Sequence, residues 1–319
     1  MLILTKNNFP SLQAGYMSAT GKLAHPHPSP CDFHQVTEEI SKLRIPNAGQ
    51  ANAYPHPKVH EVFGTLVNTL RCLPSSPWCN GQMPSLTLNP KLFLCGQMAN
   101  QYGLTPPNSD FGIDPNRLIS FVYAFQDQLQ THHYNAANQE WEATLKASVQ
   151  KFTDTFKVVT KAANGFTSHE FVITTDTTQI GSPQLNRAIE AVSSEFMNSF
   201  EDQQLLAIFL KKEPILNNQV RLRFIILLRR DFIDDPVSLN NLGFFERIKL
   251  DFEQVHNYQL FYDTSLLNRY MASNLFHKKS RTFKEQIMQL KIYLVGTDSL
   301  YRIGSTDSTF SVLYLINEA

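Results

Sequence analysis

Leu205-Leu-Ala-Ile-Phe-Leu210, then Glu213-Pro214 and Asn217-Asn218, then Val220-Arg-Leu-Arg-Phe-Ile-Ile-Leu-Leu228: this stretch decides the fold. Two apolar, β-branched runs flank a segment rich in turn-forming residues. Runs of that length and composition read as strands, and two asparagines between them supply the positive φ that a tight turn needs. Residues 205–231 are therefore expected to form a β-hairpin. Upstream, Glu170-Phe-Val-Ile-Thr-Thr175 reads as another strand, ending at Asp176.

Between that strand and the hairpin, Ser182-Pro183 can cap a helix running to about Phe200, with Leu185, Ile189, Val192, Phe196 and Phe200 on its inner face. After the hairpin the pattern gives a helix at 236–255, a strand at 257–263, helices from 264 and at 282–296, and terminal strands near 300–304 and 309–316. Strand, helix, hairpin, helix, strand, helix is the order of an α+β domain: an antiparallel sheet with helices packed on one face. This domain spans 166–319.

The first half differs. Residues 1–57 are rich in Pro, His, Ser and Asn, and His25-Pro-His-Pro-Ser-Pro30 cannot be helical because each proline restricts the residue before it. A loosely ordered Pro/His-rich arm is expected, with one short helix between Asp32 and Leu43. Residues 58–165 are mainly helical. Val59, Phe63, Leu66, Val67 and Leu70 recur at helical steps, as do Leu118, Phe121, Val122, Phe125 and Leu129 after Asp114-Pro115. Trp141, Leu145, Val149, Phe152 and Phe156 continue the pattern on a further helix. Residues 73–115 read as irregular connections.

Composition narrows the function classes. The 319 residues carry 28 Lys+Arg and 28 Asp+Glu, a net charge of zero, so whole-chain charge gives no argument for nucleic acid. The distribution is mildly uneven: residues 205–319 hold 15 basic and 12 acidic side chains, a net of +3, and the rest a net of −3. The four cysteines, Cys31, Cys72, Cys79 and Cys95, match no zinc spacing and suit free thiols in a reducing compartment. No apolar run is long enough to span a bilayer, so a cytoplasmic protein without a membrane partner is expected. There is no glycine-rich phosphate loop and no Gly-x-Ser-x-Gly elbow.

From about residue 118 to 308 the element order and several local patterns resemble those of the inovirus replication-initiator-like (gene II protein-like) family, often found in prophages. The resemblance rests on Phe121, Phe125, Tyr134, Trp141 and Leu145 leading to Phe171-Val-Ile-Thr-Thr-Asp176, on the helix and hairpin that follow, and on Leu290-Lys-Ile-Tyr293-Leu-Val-Gly296 with Tyr301-Arg-Ile-Gly304-Ser305. It implies rolling-circle DNA replication: a tyrosine, here Tyr293, attacks a DNA phosphodiester and forms a covalent link. It also implies a histidine pair one residue apart on one strand, holding Mg²⁺ or Mn²⁺ that stabilises the phosphate's developing charge.

The chain departs from that family at the strand that should carry the pair. It reads Val220-Arg221-Leu222-Arg223-Phe224, and guanidinium groups remain protonated and ligate no cation. His169, His256 and His277 are isolated, and Gly296 stands where the family's pattern has a lysine. Nicking is therefore expected to be lost or altered. Arginines suit phosphate contact, so Arg221, Arg223 and Arg229, with Lys278, Lys279 and Arg281 of the densest basic patch, are the candidate DNA-binding residues. Asp176 is the candidate metal ligand. Single-stranded DNA or an origin hairpin is the expected partner. A non-catalytic module binding another protein through the same fold is the alternative.

Overall fold

The computed structural model describes residues 28–45, 57–76, 78–79, 81, 84, 86–106, 114–200, 204–229, 252–253, 258–262, 275–303 and 308–316. Within them lie seven α-helices: α1 (Pro30–Ser41), α2 (Pro57–Cys72), α3 (Pro90–Gln101), α4 (Pro115–Gln128), α5 (His132–Ala162), α6 (Pro183–Ser199) and α7 (Phe283–Val295). The strands are β1 (Leu86–Leu88), β2 (Gly165–Asp176), β3 (Leu205–Ile215), β4 (Gln219–Arg229), β5 (Leu260–Tyr262), β6 (Leu275–His277), β7 (Tyr301–Ile303) and β8 (Phe310–Leu315). The expected helix at 236–255 and the one beginning at 264 fall almost wholly outside the described residues, as do residues 1–27 of the arm.

Four helices start by one device. Ser29, Asn89, Asp114 and Ser182 each precede a proline at the first helical position and accept a backbone N–H from the first turn. The side chain satisfies a donor that has no partner within the helix, and proline lacks an N–H that would need one. At Ser29 the cap is reciprocal, since Asp32 accepts from the Ser29 backbone at 2.8 Å.

The hairpin forms as its sequence predicts. β3 and β4 pair antiparallel from Leu205↔Leu228 to Ile215↔Gln219. The strands are joined by a three-residue loop, 216–218, in which Asn217 and Asn218 take φ of 63° and 56°, the left-handed region that asparagine enters more readily than most residues. β2 lies on the other side of β4, so the main sheet runs β5-β2-β4-β3-β8 in antiparallel pairs. β6 pairs with the start of β2, alongside Gly165–Thr167, while β5 pairs with Phe171–Ile173.

The sheet is covered on both faces, not on one as the element order suggested. Against one face, Leu185, Ala188, Val192 and Phe196 of α6 pack on Phe171, Ile173, Ile208, Leu222, Phe224 and Ile226. Against the other, Phe152, Phe156 and Val159 of α5 and Leu290 and Leu294 of α7 meet Phe166, Phe209, Ile225 and Leu227. This is why the central strands are apolar at nearly every position: both sets of alternating side chains are buried. Each fully buried phenylalanine or leucine contributes about 1.5–3 kcal/mol relative to exposure.

A third core joins the two halves of the chain. Phe33 and Ile40 of α1, Val59 and Leu66 of α2, Leu92 and Cys95 of α3 and Phe121 and Phe125 of α4 are buried together with Ile292, Leu300 and Tyr301 from the far end. β1 pairs with β7, Leu86 opposite Ile303, and Asn89 donates twice across the same junction, its backbone N–H to Leu300 O at 2.9 Å and its side-chain amide to Ser299 O at 3.0 Å. The change of character near residues 160–166 is thus a change of local structure within a shared core. Residues 30–43, placed by composition in a loose arm, belong to it: Phe33 and Ile40 are essentially inaccessible. All four cysteines are free, Cys31 and Cys95 buried, and burial pushes both thiols up to about 12. Among the described residues no helix is long and apolar enough to cross a membrane.

Candidate functional site

Strand alternation divides the side chains of β4 between two environments. Val220, Leu222 and Phe224 enter the core beneath α6; Arg221 and Arg223 point to the opposite face, toward α7. On that face register assembles a row. Val172, Arg223 and Lys211 stand side by side on β2, β4 and β3, and the next row holds Thr174, Arg221 and Glu213. Glu170 is one step back along β2. The face is therefore apolar at one end, around Phe209 and Ile225, and charged at the other.

Arg223 is the hub of the charged end and is fully buried. Its Nη1 donates to Glu170 Oε2 at 2.8 Å. Its Nη2 and Nε donate to Glu213 Oε2 at 3.2 and 3.3 Å. The other Glu213 oxygen accepts the Tyr293 hydroxyl at 2.5 Å. Two carboxylates thus grip one guanidinium, and the phenol satisfies a remaining lone pair, the condition under which buried charge is tolerable. Arg221 approaches Glu213 at 3.8 Å, and its side chain is partly exposed.

Lys211 anchors a second cluster. Its ammonium donates to Leu294 O at 2.8 Å and to the Thr297 and Thr309 hydroxyls at 2.5 Å each. The Leu294 carbonyl belongs to the last turn of α7, where the helix dipole favours a cation. Asp298 lies 3.7 Å from Lys211 Nζ and accepts from Ser308 Oγ and from the backbone and hydroxyl of Thr309. Burial pushes the Lys211 ammonium below the ordinary lysine range, and Asp298 and Glu213 pull it back up. The two clusters share Glu213 and Lys211's strand. Glu170, Glu213 and Asp298 balance Lys211, Arg221 and Arg223, three charges of each sign.

The residues singled out in the sequence are distributed unevenly. Arg223 is withdrawn from the DNA-contacting set: its guanidinium is committed to two carboxylates in a site closed to solvent. Tyr293 is 2 % exposed, and its hydroxyl is engaged by Glu213, out of reach of a polymer in this conformation. Arg221 keeps access. Arg229 lies at the far end of β4, six residues from Arg223 and about 20 Å away, and donates to Ala162 O at 2.9 Å. Lys278 donates its backbone N–H to Asn164 O at 2.9 Å, so the β6–α7 turn carrying Lys278, Lys279 and Arg281 sits at that same end. Lys279 and Arg281 are exposed. Asp176 is exposed at the end of β2, on the face of Thr174 and Arg221. Among the described residues no three His, Cys, Asp or Glu side chains are grouped to hold a metal ion.

Sequence reasoning missed Glu170, Lys211, Glu213 and Asp298. A signal was present: Lys211, Glu213, Arg221 and Arg223 all interrupt apolar strands at alternate positions, on the same side of a hairpin. Such interruptions are read as solvent-facing when the sheet is assumed to have one bare face, and here it has none.

Comparison with protein-family models, with characterised proteins and with solved structures gives no match to this chain. The fold and site define it as an α+β protein whose antiparallel sheet carries a buried, charge-balanced polar network on one face.

Proposed function

We propose that this chain is a DNA-binding protein of the replication-initiator type in which an ion-pair network has replaced the nicking centre. One observation carries the reading: Arg223 and Tyr293 meet on Glu213. Arg223 lies on the strand where the resemblance calls for cation ligands, and Tyr293 is the residue matched to the nucleophile. Their convergence supports a common ancestry of the arrangement. The guanidinium stands between two carboxylates as a fixed internal cation, which disfavours a divalent ion there, and the phenol is hydrogen-bonded away from any substrate. DNA affinity then rests on basic side chains away from this centre, chiefly Lys278, Lys279 and Arg281 beside Arg229.

The test is fluorescence anisotropy with labelled single-stranded and hairpin DNA, together with supercoiled plasmid incubated with Mg²⁺ or Mn²⁺. Binding should weaken steeply between about 50 and 200 mM salt, and replacing Lys278, Lys279 and Arg281 together by alanine should lower the log–log salt slope by about 2. The plasmid should stay intact. A denaturation-resistant protein–DNA adduct that disappears in Tyr293→Phe would restore an active initiator. No salt-sensitive binding to any DNA would leave the protein-interaction module as the better reading.

A further inference from the structure

Helix α7 buries one side and leaves the other to solvent. Leu290, Tyr293 and Leu294 turn inward, onto the sheet and its polar network. Lys284, Met288 and Lys291 recur at steps of four and three, so they share the opposite side. Lys284 and Met288 are exposed and Lys291 is partly buried. Lys278, Lys279 and Arg281 lie in the turn that leads into the helix. Among the described residues none of these five cations makes an ion pair, whereas Lys42, Lys91, Lys157 and Lys211 each meet a carboxylate. Glu285 is the one acid between residues 275 and 297, which leaves that segment with a net charge of +4. Burial pushes the Lys291 ammonium below the ordinary lysine range, with no carboxylate to pull it back.

We propose that the outer face of α7 lies along the sugar–phosphate backbone of a DNA duplex, with Lys284 and Lys291 each taking a phosphate and Lys278, Lys279 and Arg281 continuing the row. The inference rests on the DNA-binding reading and adds to it a helix, two residues and the form of the partner. From Lys284 to Lys291 the helix rises about 10 Å, the axial length of about three phosphates on one strand of a duplex. A straight, rigid element suits a straight, rigid partner. This face has no aromatic side chain, since Phe283 packs inward on Phe166 and Tyr293 on Glu213. It therefore lacks the stacking platform that holds unpaired bases. Lysine ammoniums meet phosphate as point charges and read no base edges, so the grip is independent of sequence. Met288, between the two lysines, rests on the sugars, and Glu285 opposes the nearest phosphate. A strand on this face is separated from the Tyr293 hydroxyl by the thickness of the helix, about 10 Å, in keeping with binding that leaves the backbone intact.

The experiment uses the full chain, two labelled hairpin duplexes of unrelated stem sequence, and oligothymidine of equal length. Lys284→Ala with Lys291→Ala should lower the log–log salt slope on both hairpins by about 2 and leave oligothymidine binding nearly unchanged. Glu285→Lys adds a cation to the same face and should raise the hairpin slope by about 1, a gain that misfolding cannot produce. An unchanged slope in the double variant, with hairpin binding still weakened in the Lys278/Lys279/Arg281 triple alanine variant, would overturn the α7 contact and leave the DNA reading standing. An equal loss on oligothymidine would overturn the choice of duplex. Failure of the unmodified chain to bind any DNA would overturn both readings, and binding to phosphatidylserine vesicles that depends on Lys284 and Lys291 would then make an anionic membrane the partner of this face.

Discussion

Arg223 Nη1 donates to Glu170 Oε2 at 2.8 Å in a site closed to solvent, and this ion pair ties the side chains of β4 to those of β2 on the charged half of the sheet. Breaking one side of such a pair costs more than the pair contributes, because the survivor remains buried and charged. Arg223→Leu leaves Glu170 and Glu213 facing each other without a cation and should lower the unfolding free energy by about 3–5 kcal/mol. Replacing all three, with Arg223→Met, Glu170→Leu and Glu213→Gln, should recover most of that loss. Urea unfolding of the wild type, the single variant and the triple variant measures this, and equal stability of the single variant and wild type would show that the network is not closed.

Lys211 gives a sharper version of the same test. Its three donors serve α7, the following turn and the start of β8 together. Lys211→Met removes the cation and strands Asp298, which is fully buried, so a loss of about 3 kcal/mol or more is expected. Adding Asp298→Asn should return part of it, because a neutral amide can still accept from Thr309. Hydrogen exchange should show the loss concentrated in β8. A loss spread evenly over the sheet would mean that Lys211 does not act as the local tie.

Much of the fold was legible because local chemistry and tertiary structure agree. Ser182-Pro183 announces α6, Asp114-Pro115 announces α4, and Asn217-Asn218 announces the hairpin turn. The helix α3 was equally announced by Asn89-Pro90 with Leu92, Cys95 and Met98 at steps of three, but the surrounding prolines and glycines masked a pattern only one helix long. β1 has three residues and exists because β7 pairs with it from the other end of the chain, a contact that no local signal encodes. The candidate site was least legible. Arg221 and Arg223 look alike in the sequence, and what separates them is α7 and the turn after it, which close over one and stop short of the other.

Acid should weaken the fold through its buried histidines. Burial pushes His169 down to about 4 from 6.5, and His34 falls to about 4 by the same cause, partly opposed by Glu38. The unfolded chain therefore binds more protons than the folded one between those values. Stability is complete above about pH 6.5 and is lost as pH falls toward 4, by up to roughly 3 kcal/mol for each histidine. Glu38 extends the trend. Burial alone would raise its carboxyl, but hydrogen bonds from Lys42 and Lys91 hold it at about 2, so its contribution is lost between its unfolded value near 4.5 and 2. Urea midpoints measured from about pH 7 to pH 4 should fall, and His169→Gln should flatten part of the slope. A midpoint that does not move with pH would mean both rings are solvated.

The hairpin turn makes a prediction that depends on backbone alone. Asn217 and Asn218 are exposed and sit at φ of 63° and 56°, a region that β-branched side chains enter only with strain. Asparagine tolerates it, and glycine enters freely. Asn218→Val should therefore cost about 1–2 kcal/mol, although it removes no buried contact, while Asn218→Gly should stay within about 0.5 kcal/mol of wild type. Because Ile215↔Gln219 and the register beyond it run outward from this turn, the valine variant should also slow refolding if the turn is formed in the folding transition state. Stopped-flow folding of the two variants distinguishes the cases: a slower folding rate places the hairpin early, and a faster unfolding rate with unchanged folding places it late, after the sheet's core has closed.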